Sequence, residues 1–340
     1  MKILLTADPP IPVPPAGYGG IERIVDSLAR HYRDLGHEVG LLAHPESTCD
    51  AGPLFPWPAN GGRASAIRNT IALSLAVGRF KPDLVHSFSR LAYLLPLLPR
   101  RLPKVMSYQR HTGGRQITIA AALAGRSLHF TGCSEFICNM ARASGGSWDA
   151  IHNFVEIDRI KFAPAVPADA PLLFLSRIES IKGPDLAIAV AGASGRRLIL
   201  AGNKPTGRRE LSFWNERIEP HLSGGEVEWV GEVNDAQKSE LLGRAAALIV
   251  PIQWDEPFGI VFAEALAAGT PVITCARGAL PEIVDQGKTG YFINGIEDGR
   301  SAVLALGSID RADCRRAAAT RFSRDVCASR YLELYAGMLP

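Results

Sequence analysis

The 340-residue sequence predicts an α/β fold made of two domains, each an open parallel sheet wound with helices. Three observations carry this. Short apolar runs recur along the chain, as strands buried on both faces of a parallel sheet require. Each run gives way to a turn-rich loop and then to a helical pattern or another apolar run. A proline-bearing stretch near the middle, with prolines at 164, 167 and 171, divides a chain long enough for two cores.

Composition narrows the class. At 47% hydrophobic and 21% charged residues this is an ordinary globular chain, and its formal net charge is +3. The doublets Arg196-Arg197, Arg208-Arg209 and Arg315-Arg316 are scattered and form no basic block, so nucleic acid is not indicated. Six cysteines (49, 133, 138, 275, 314 and 327) show no C-x-x-C pair, which suits single thiols in a reducing compartment. Met1 to Ala7 is cut short by Asp8 and the following prolines and reads as a first strand, not a signal peptide. No run of eighteen apolar residues is present, so no transmembrane segment is expected. The expected location is cytoplasmic.

Taken in order, Lys2 to Thr6 is the first strand and residues 9 to 15 form a proline-rich loop. The segment from Gly17 to Gly20 then opens a helix carrying Ile21, Ile24, Val25, Leu28, Tyr32 and Leu35, stopped by Gly36. Val39 to Ala43 is the next strand. Gly17-x-Gly19 does not make this a dinucleotide site. The third glycine of that fingerprint is replaced by Glu22, and Ala43 and His44 stand where an acidic residue belongs. Leu84 to Phe88 and Lys104 to Gln109 read as further strands; His111 follows the second at its carboxyl end, while His86 and His129 lie in or near strand ends. Residues 90 to 104 are apolar with basic flanks. They fit a buried helix better than a peripheral membrane contact, though the pattern allows both.

The second half starts with Leu172 to Leu175, from whose carboxyl end Arg177 and Lys182 project five residues apart across a tight loop closed by Gly183-Pro184. An arginine fork and a mobile ammonium are natural partners of a diphosphate, each contact worth about 1.5–3 kcal/mol when charge-assisted. Arg197 to Ala201 and Val227 to Gly231 are strands. Gly287-Lys288-Thr289 resembles the end of a phosphate loop, but Glu282 holds the required glycine position, and the segment reads as a hairpin-like turn. A helix from Phe322 to Met338 ends the chain.

The most informative stretch is Ala247 to Thr274. A buried strand, Ala247 to Ile252, leads into Gln253-Trp254-Asp255-Glu256-Pro257-Phe258, then a helix from about Gly259 to Ala268 stopped by Gly269, then a strand opened by Pro271. The amides of Phe258, Gly259, Ile260 and Val261 would open that helix and attract an anion, with Gly259 allowing close approach. Glu256 and Glu264 are eight positions apart, roughly 8–12 Å along the axis, too far to act on one atom. They suit the two ends of an extended ligand with a diphosphate between. The plainer alternative is a surface helix with two solvated glutamates. Against it, Glu264 stands between Ala263 and Ala265 in a largely apolar helix, where a carboxylate needs a polar partner.

Glu256-Pro257-Phe258-Gly259, the seven residues separating Glu256 from Glu264, and Ala265-Leu266-Ala267-Ala268-Gly269-Thr270-Pro271-Val272-Ile273 closely resemble the signature of family-4 retaining glycosyltransferases (group 1). Arg177 to Lys182-Gly183 matches a second element of that family, and Gly19-Gly20 its first-loop pair facing the donor diphosphate. Asn153-Phe154-Val155-Glu156 resembles its Asn-Gly-Val-Asp crossover, with Phe154 and Glu156 departing from it.

The resemblance implies a GT-B fold, two Rossmann-like domains facing across a cleft. The acceptor-side domain would be 1–155, with a C-terminal helix at about 323–340 packing back on it, and the nucleotide-sugar domain 165–322. It implies transfer of a sugar, with retention and without a metal or other cofactor, from a nucleoside diphosphate sugar to a hydroxyl acceptor. UDP is expected as carrier on family frequency. His111, Glu256, Arg177 and Lys182 would be catalytic; Gly19, Gly20, Gly202, Asn203, Val233, Phe258, Gly259, Ile260, Val261 and Glu264 would line the donor. Within that set Glu256 would orient the sugar, Glu264 the ribose and His111 an outer sugar hydroxyl. Backbone groups near Gly202, Asn203 and Val233 would meet the base. Front-face attack is expected, since no side chain near His111 is a convincing nucleophile. A sugar-nucleotide epimerase of the same fold would need an acid–base carboxylate set that the first domain lacks. A silent nucleotide-sugar-binding module would tolerate loss of Glu256 and His111, both of which are present.

Overall fold

The computed structural model describes residues 1–17, 19–58 and 65–339. The chain divides into two compact units, Met1–Asn153 with Arg324–Pro340, and Phe154–Ser323. Each is a Rossmann-like α/β unit with a single parallel sheet.

The first unit's strands are β1 (Lys2–Thr6), β2 (Glu38–Ala43), β3 (Leu54–Pro56), β4 (Leu84–Ser87), β5 (Lys104–Tyr108), β6 (Leu128–Gly132) and β7 (Ser147–Ala150). They lie in the order β3-β2-β1-β4-β5-β6-β7. Helices α1 (Gly20–Asp34), α2 (Ser65–Phe80), α3 (Arg115–Ala124) and α4 (Glu135–Arg142) connect them. Ile24, Val25, Leu28 and Tyr32 form the buried stripe of α1, as the spacing predicts, but Leu35 is exposed because the helix has already ended.

The second unit's strands are β8 (Leu172–Leu175), β9 (Leu198–Ala201), β10 (Val227–Gly231), β11 (Ala247–Val250), β12 (Val272–Thr274) and β13 (Gly290–Phe292). Their order is β10-β9-β8-β11-β12-β13. Around them stand α5 (Pro184–Ser194), α6 (Arg208–Arg217), α7 (Asp235–Arg244), α8 (Ile260–Ala268), α9 (Leu280–Ile283), α10 (Ile296–Leu304) and α11 (Arg311–Phe322). Strands β8 and β11 are buried along their whole length, which explains why both read as unbroken apolar runs. Each buried Leu, Ile or Phe side chain of such strands contributes about 1.5–3 kcal/mol to the core.

The last helix, α12 (Arg324–Met338), belongs to the first unit. Its Tyr335 hydroxyl bonds Nδ1 of the fully buried His86, whose Nε2 meets Ser107 Oγ at 2.6 Å. Burial alone pushes the His86 pKa down to about 3. Tyr32 Oη lies 3.3 Å from Tyr335 Oη and completes the network.

Two local expectations need correcting. Residues 90 to 104 do not form a buried α-helix. Leu91–Leu97 is a 3-10 helix, because Pro96 removes an amide and Pro99 and Pro103 block continuation, and Lys104 already belongs to β5. The Gly287-Lys288-Thr289 turn does not lead into a hairpin either, since β13 pairs parallel with β12. All six cysteines are buried and none is in a disulfide. No helix among the described residues is long and apolar enough to cross a membrane.

Candidate active site

In the second unit, β8 and β11 are neighbours whose outgoing connections run to opposite sides of the sheet. Their carboxyl ends therefore form the crevice where open α/β sheets hold ligands. Arg177 to Lys182 leaves β8, and Trp254 to Gly259 leaves β11. The two loops are tied together by Gln253 N–H donating to the Ile181 carbonyl at 2.8 Å. The first loop is anchored from below: Ser180 donates through its amide (2.7 Å) and hydroxyl (3.0 Å) to the Glu210 carboxylate. Gly183 has φ 71°, and a Cβ there would lie 2.2 Å from the Pro251 carbonyl oxygen, so only glycine lets these loops close up.

At the centre, Lys182 Nζ is 2.6 Å from Glu256 Oε2, with side-chain exposures of 11% and 12%. Trp254 Nε1 donates to the same oxygen at 3.0 Å, and the ammonium lies 5.0 Å from the Trp254 ring centre. With Oε2 engaged twice, Oε1 has no partner among the described residues and is left to accept from a ligand. Ala279 N–H donates to the Glu256 carbonyl at 2.8 Å. A Cβ on Gly278 (φ 59°) would sit 2.4 Å from Glu256 N, so the segment after β12 braces the Glu256 loop from the other side.

Helix α8 begins at Ile260, one residue later than the sequence reading placed it, with Gly259 as a left-handed N-cap (φ 84°). The amides of Gly259, Ile260 and Val261 have no acceptor among the described residues. This is an open anion-attracting helix end. The Phe258 side chain takes no part in it; it is buried core, 5.7 Å from the Phe322 ring, so only its backbone faces this end.

Glu264 does have a polar partner, but the partner belongs to the protein: Lys238 Nζ at 2.5 Å, which also meets Asp235 at 3.1 Å. Burial works to lower the Lys238 pKa, and the attraction of Glu264 and Asp235 outweighs it, so the lysine stays charged. The need for hydration at Glu264 is therefore met within the chain. Arg177 is 44% exposed and donates to Glu179 at 2.7 Å. Gly202 is packed so that a Cβ would lie 1.9 Å from the Ser176 carbonyl oxygen, and its own carbonyl accepts from Trp229 Nε1 at 2.9 Å. Asn203 and Val233 are half-buried.

In the first unit, Gly19 and Gly20 follow β1 at the corresponding switch between β1 and β4. A Cβ on Gly19 would lie 2.7 Å from Pro15 Cβ and 3.0 Å from Glu22 Oε2. Tyr18 lies outside the described residues. His111 is exposed in the loop after β5, with its ring 5.7 Å from that of Phe136. Sequence reading missed Asp8, half-buried at the same edge, with Oδ1 buried and without a partner among the described residues and Oδ2 3.4 Å from Arg110. Burial raises its pKa against the pull of Arg110 and Arg90, and it raises that of Glu22 too. Trp254, Gly278 and Lys238 were also missed. Trp254 stands two residues from Glu256 and carried a usable signal; Lys238 sits on another helix and carried none.

Known proteins resemble this chain in sequence and in fold. Residues 18–159 match the model "Glycosyltransferase Family 4" and residues 156–303 match "Glycosyl transferases group 1". A D-inositol 3-phosphate glycosyltransferase of Xylanimonas cellulosilytica is 28% identical over 301 residues, covering 77% of this chain and 68% of that enzyme. The crystal structure of AviGT4, a glycosyltransferase involved in avilamycin A biosynthesis, superposes with a TM-score of 0.76 at 28% identity, covering 99% of this chain and 97% of that one. Anabaena HepE, solved with UDP and glucose, superposes at 0.75 with 19% identity, over 99% of each chain. Two adjoining family matches that together run from residue 18 to 303, on a pair of Rossmann-like units, place the chain in the group 1, family 4 glycosyltransferases of GT-B fold.

Proposed function

We propose that the protein transfers a sugar from a nucleoside diphosphate sugar, UDP-linked, to a hydroxyl acceptor with retention at the anomeric carbon. The observation that carries this reading is the pairing of Lys182 with Glu256 beside the open amides of α8. It sets a cation and a helix N-terminus where a diphosphate would lie, with a carboxylate oxygen still free to accept a sugar hydroxyl.

In this reading Lys182, Arg177 and the α8 amides neutralise the leaving diphosphate, so no metal is assigned to the step. Glu256 Oε1 orients the transferred sugar. Glu264, already held by Lys238, takes the ribose, and Gly202, Asn203 and Val233 take the base through their backbone. Gly19, Gly20 and His111 are the first unit's contribution, to the diphosphate and to an outer sugar hydroxyl. The anomeric C–O bond to the diphosphate breaks as the acceptor oxygen attacks the same face, and the acceptor proton passes to the departing phosphate oxygen. UDP is chosen because it is the carrier in the HepE complex as well as the commonest in the family.

Calorimetric titration with UDP, GDP and ADP in EDTA tests the donor assignment, followed by turnover of the matching nucleotide sugars. Micromolar binding of UDP alone supports it. Preference for another nucleotide replaces the carrier, and no binding of any of the three removes the donor site. The anomeric configuration of the product, read by NMR, decides retention.

A further inference from the structure

We propose that the first unit carries a docking surface for an anionic lipid bilayer, built on the outer face of α2 and extended by the 3-10 helix and the end of α3. This rests on observations independent of the donor site.

Helix α2 buries Asn69, Leu73, Ala76, Val77 and Phe80, yet leaves Ile67 (65% exposed), Ile71 (53%) and Leu75 (55%) facing outward. These recur every four residues and so form one line along the helix, with exposed Arg79 next in it. An isolated exposed leucine needs no explanation; a row of three β-branched or aliphatic side chains on one outer face does.

The row has continuations. Thr70 Oγ1 donates to the Ala92 carbonyl at 3.4 Å and Asn69 to Tyr93 Oη at 3.0 Å, so the Leu91–Leu97 helix lies alongside α2, with Leu95 half exposed. The chain then turns through exposed Arg100 and Arg101. Ser127 Oγ donates to the Arg100 carbonyl at 3.1 Å, and Lys104 Nζ donates to Arg100, Leu102 and Ser127 together. That knot fixes this turn against the end of α3, where Ile119 and Leu123 are also exposed. The connections β3 to β4, β4 to β5 and β5 to β6 all advance across the sheet in the same direction. Right-handed crossovers therefore put all three segments on one face, opposite the face where α1 packs against α12.

Charge selects the occupant. Arg68, Arg79, Arg100, Arg101, Arg115 and Arg126 are exposed on these segments and on the turns that join them, and residues 51–134 hold a single acidic residue, Asp83, in a chain whose total charge is +3. A second copy of this face, meeting it about a two-fold axis, would oppose like charges. An acidic lipid surface satisfies both features at once, taking the aliphatic row into the headgroup boundary and the arginines onto phosphates.

The test is sedimentation of the full chain with vesicles of phosphatidylcholine alone and of phosphatidylcholine with about one third phosphatidylglycerol. Binding to the anionic vesicles only, weakened at high salt, is expected. Two variants should each weaken it about ten-fold or more with an unchanged thermal melt: Ile67→Ser/Ile71→Ser/Leu75→Ser, and Arg100→Glu/Arg101→Glu. Leu304→Ser, on the second unit, should bind as wild type. No binding to anionic vesicles overturns the proposal, as does binding that neither variant weakens. A concentration-dependent dimer abolished by the triple variant, without vesicle binding, assigns the face to a second copy instead.

Discussion

Lys182 and Glu256, 74 positions apart in sequence, meet at 2.6 Å at the adjacent carboxyl ends of β8 and β11. Each holds the other in a mostly buried place where neither would be stable alone. The pair predicts an asymmetry between two variants. Lys182→Met should weaken UDP binding by about 1.5–3 kcal/mol, since it removes a charge-assisted phosphate contact. Glu256→Ala should lower turnover by about 100-fold while leaving UDP affinity equal or higher, because the freed ammonium turns to the diphosphate. Calorimetry and steady-state kinetics on both variants decide this, and the reverse pattern would exchange their roles.

Trp254 holds Glu256 Oε2 through its indole N–H. Trp254→Phe keeps a ring beside Lys182 but removes the donor. Turnover should fall about five-fold, the equivalent of roughly 1 kcal/mol for one hydrogen bond, with the melting temperature little changed. An equal loss of stability would mean the indole serves packing alone.

Gly278 lets the segment after β12 pass against Glu256. Gly278→Ala adds a Cβ at positive φ and against backbone, and should cost about 1–3 kcal/mol in urea unfolding together with activity. A variant as stable and active as the wild type would show that the Glu256 loop yields.

Acidification should weaken the first unit through His86. Its folded pKa, about 3, is far below the 6.5 of a free histidine. A depressed folded pKa gives stability that is present above pH 6.5 and lost as pH falls from there toward 3, by about 1.4 kcal/mol per unit for this one group. Urea melts of the wild type and of His86→Gln between pH 7 and 5 isolate the term. The variant should show the shallower decline, and parallel declines would assign acid sensitivity elsewhere.

Much of this was legible in the chain because parallel sheets write themselves in unbroken apolar runs. Leu172 to Leu175 and the segment from Ala247 to Thr274 announced their strands, loop and helix directly. Arg177, Lys182 and Glu256 were singled out because they stand just past such runs, where ligand-facing residues of these sheets belong, and the structure brings Lys182 and Glu256 together. Glu264 was read as awaiting a partner, and that partner, Lys238, lies on a helix whose packing no local pattern gives. Pro96 shows the opposite failure: apolar periodicity was present, but the missing amide decided the geometry. Asp8 was noticed only as the end of a strand, since the burial of one carboxylate oxygen is a property of the assembled sheet edge.

The hydrogen bond from Tyr335 to His86 also bears on how the chain is made. Residues 1–153 are synthesised long before α12, and the whole second unit is translated in between. Until Arg324–Met338 emerges, the side of the first sheet that holds His86 and Ser107 lacks the tyrosines that satisfy and cover it. The domain that begins first is thus the one completed last, and a nascent chain would carry an unsealed polar seam through most of its time on the ribosome.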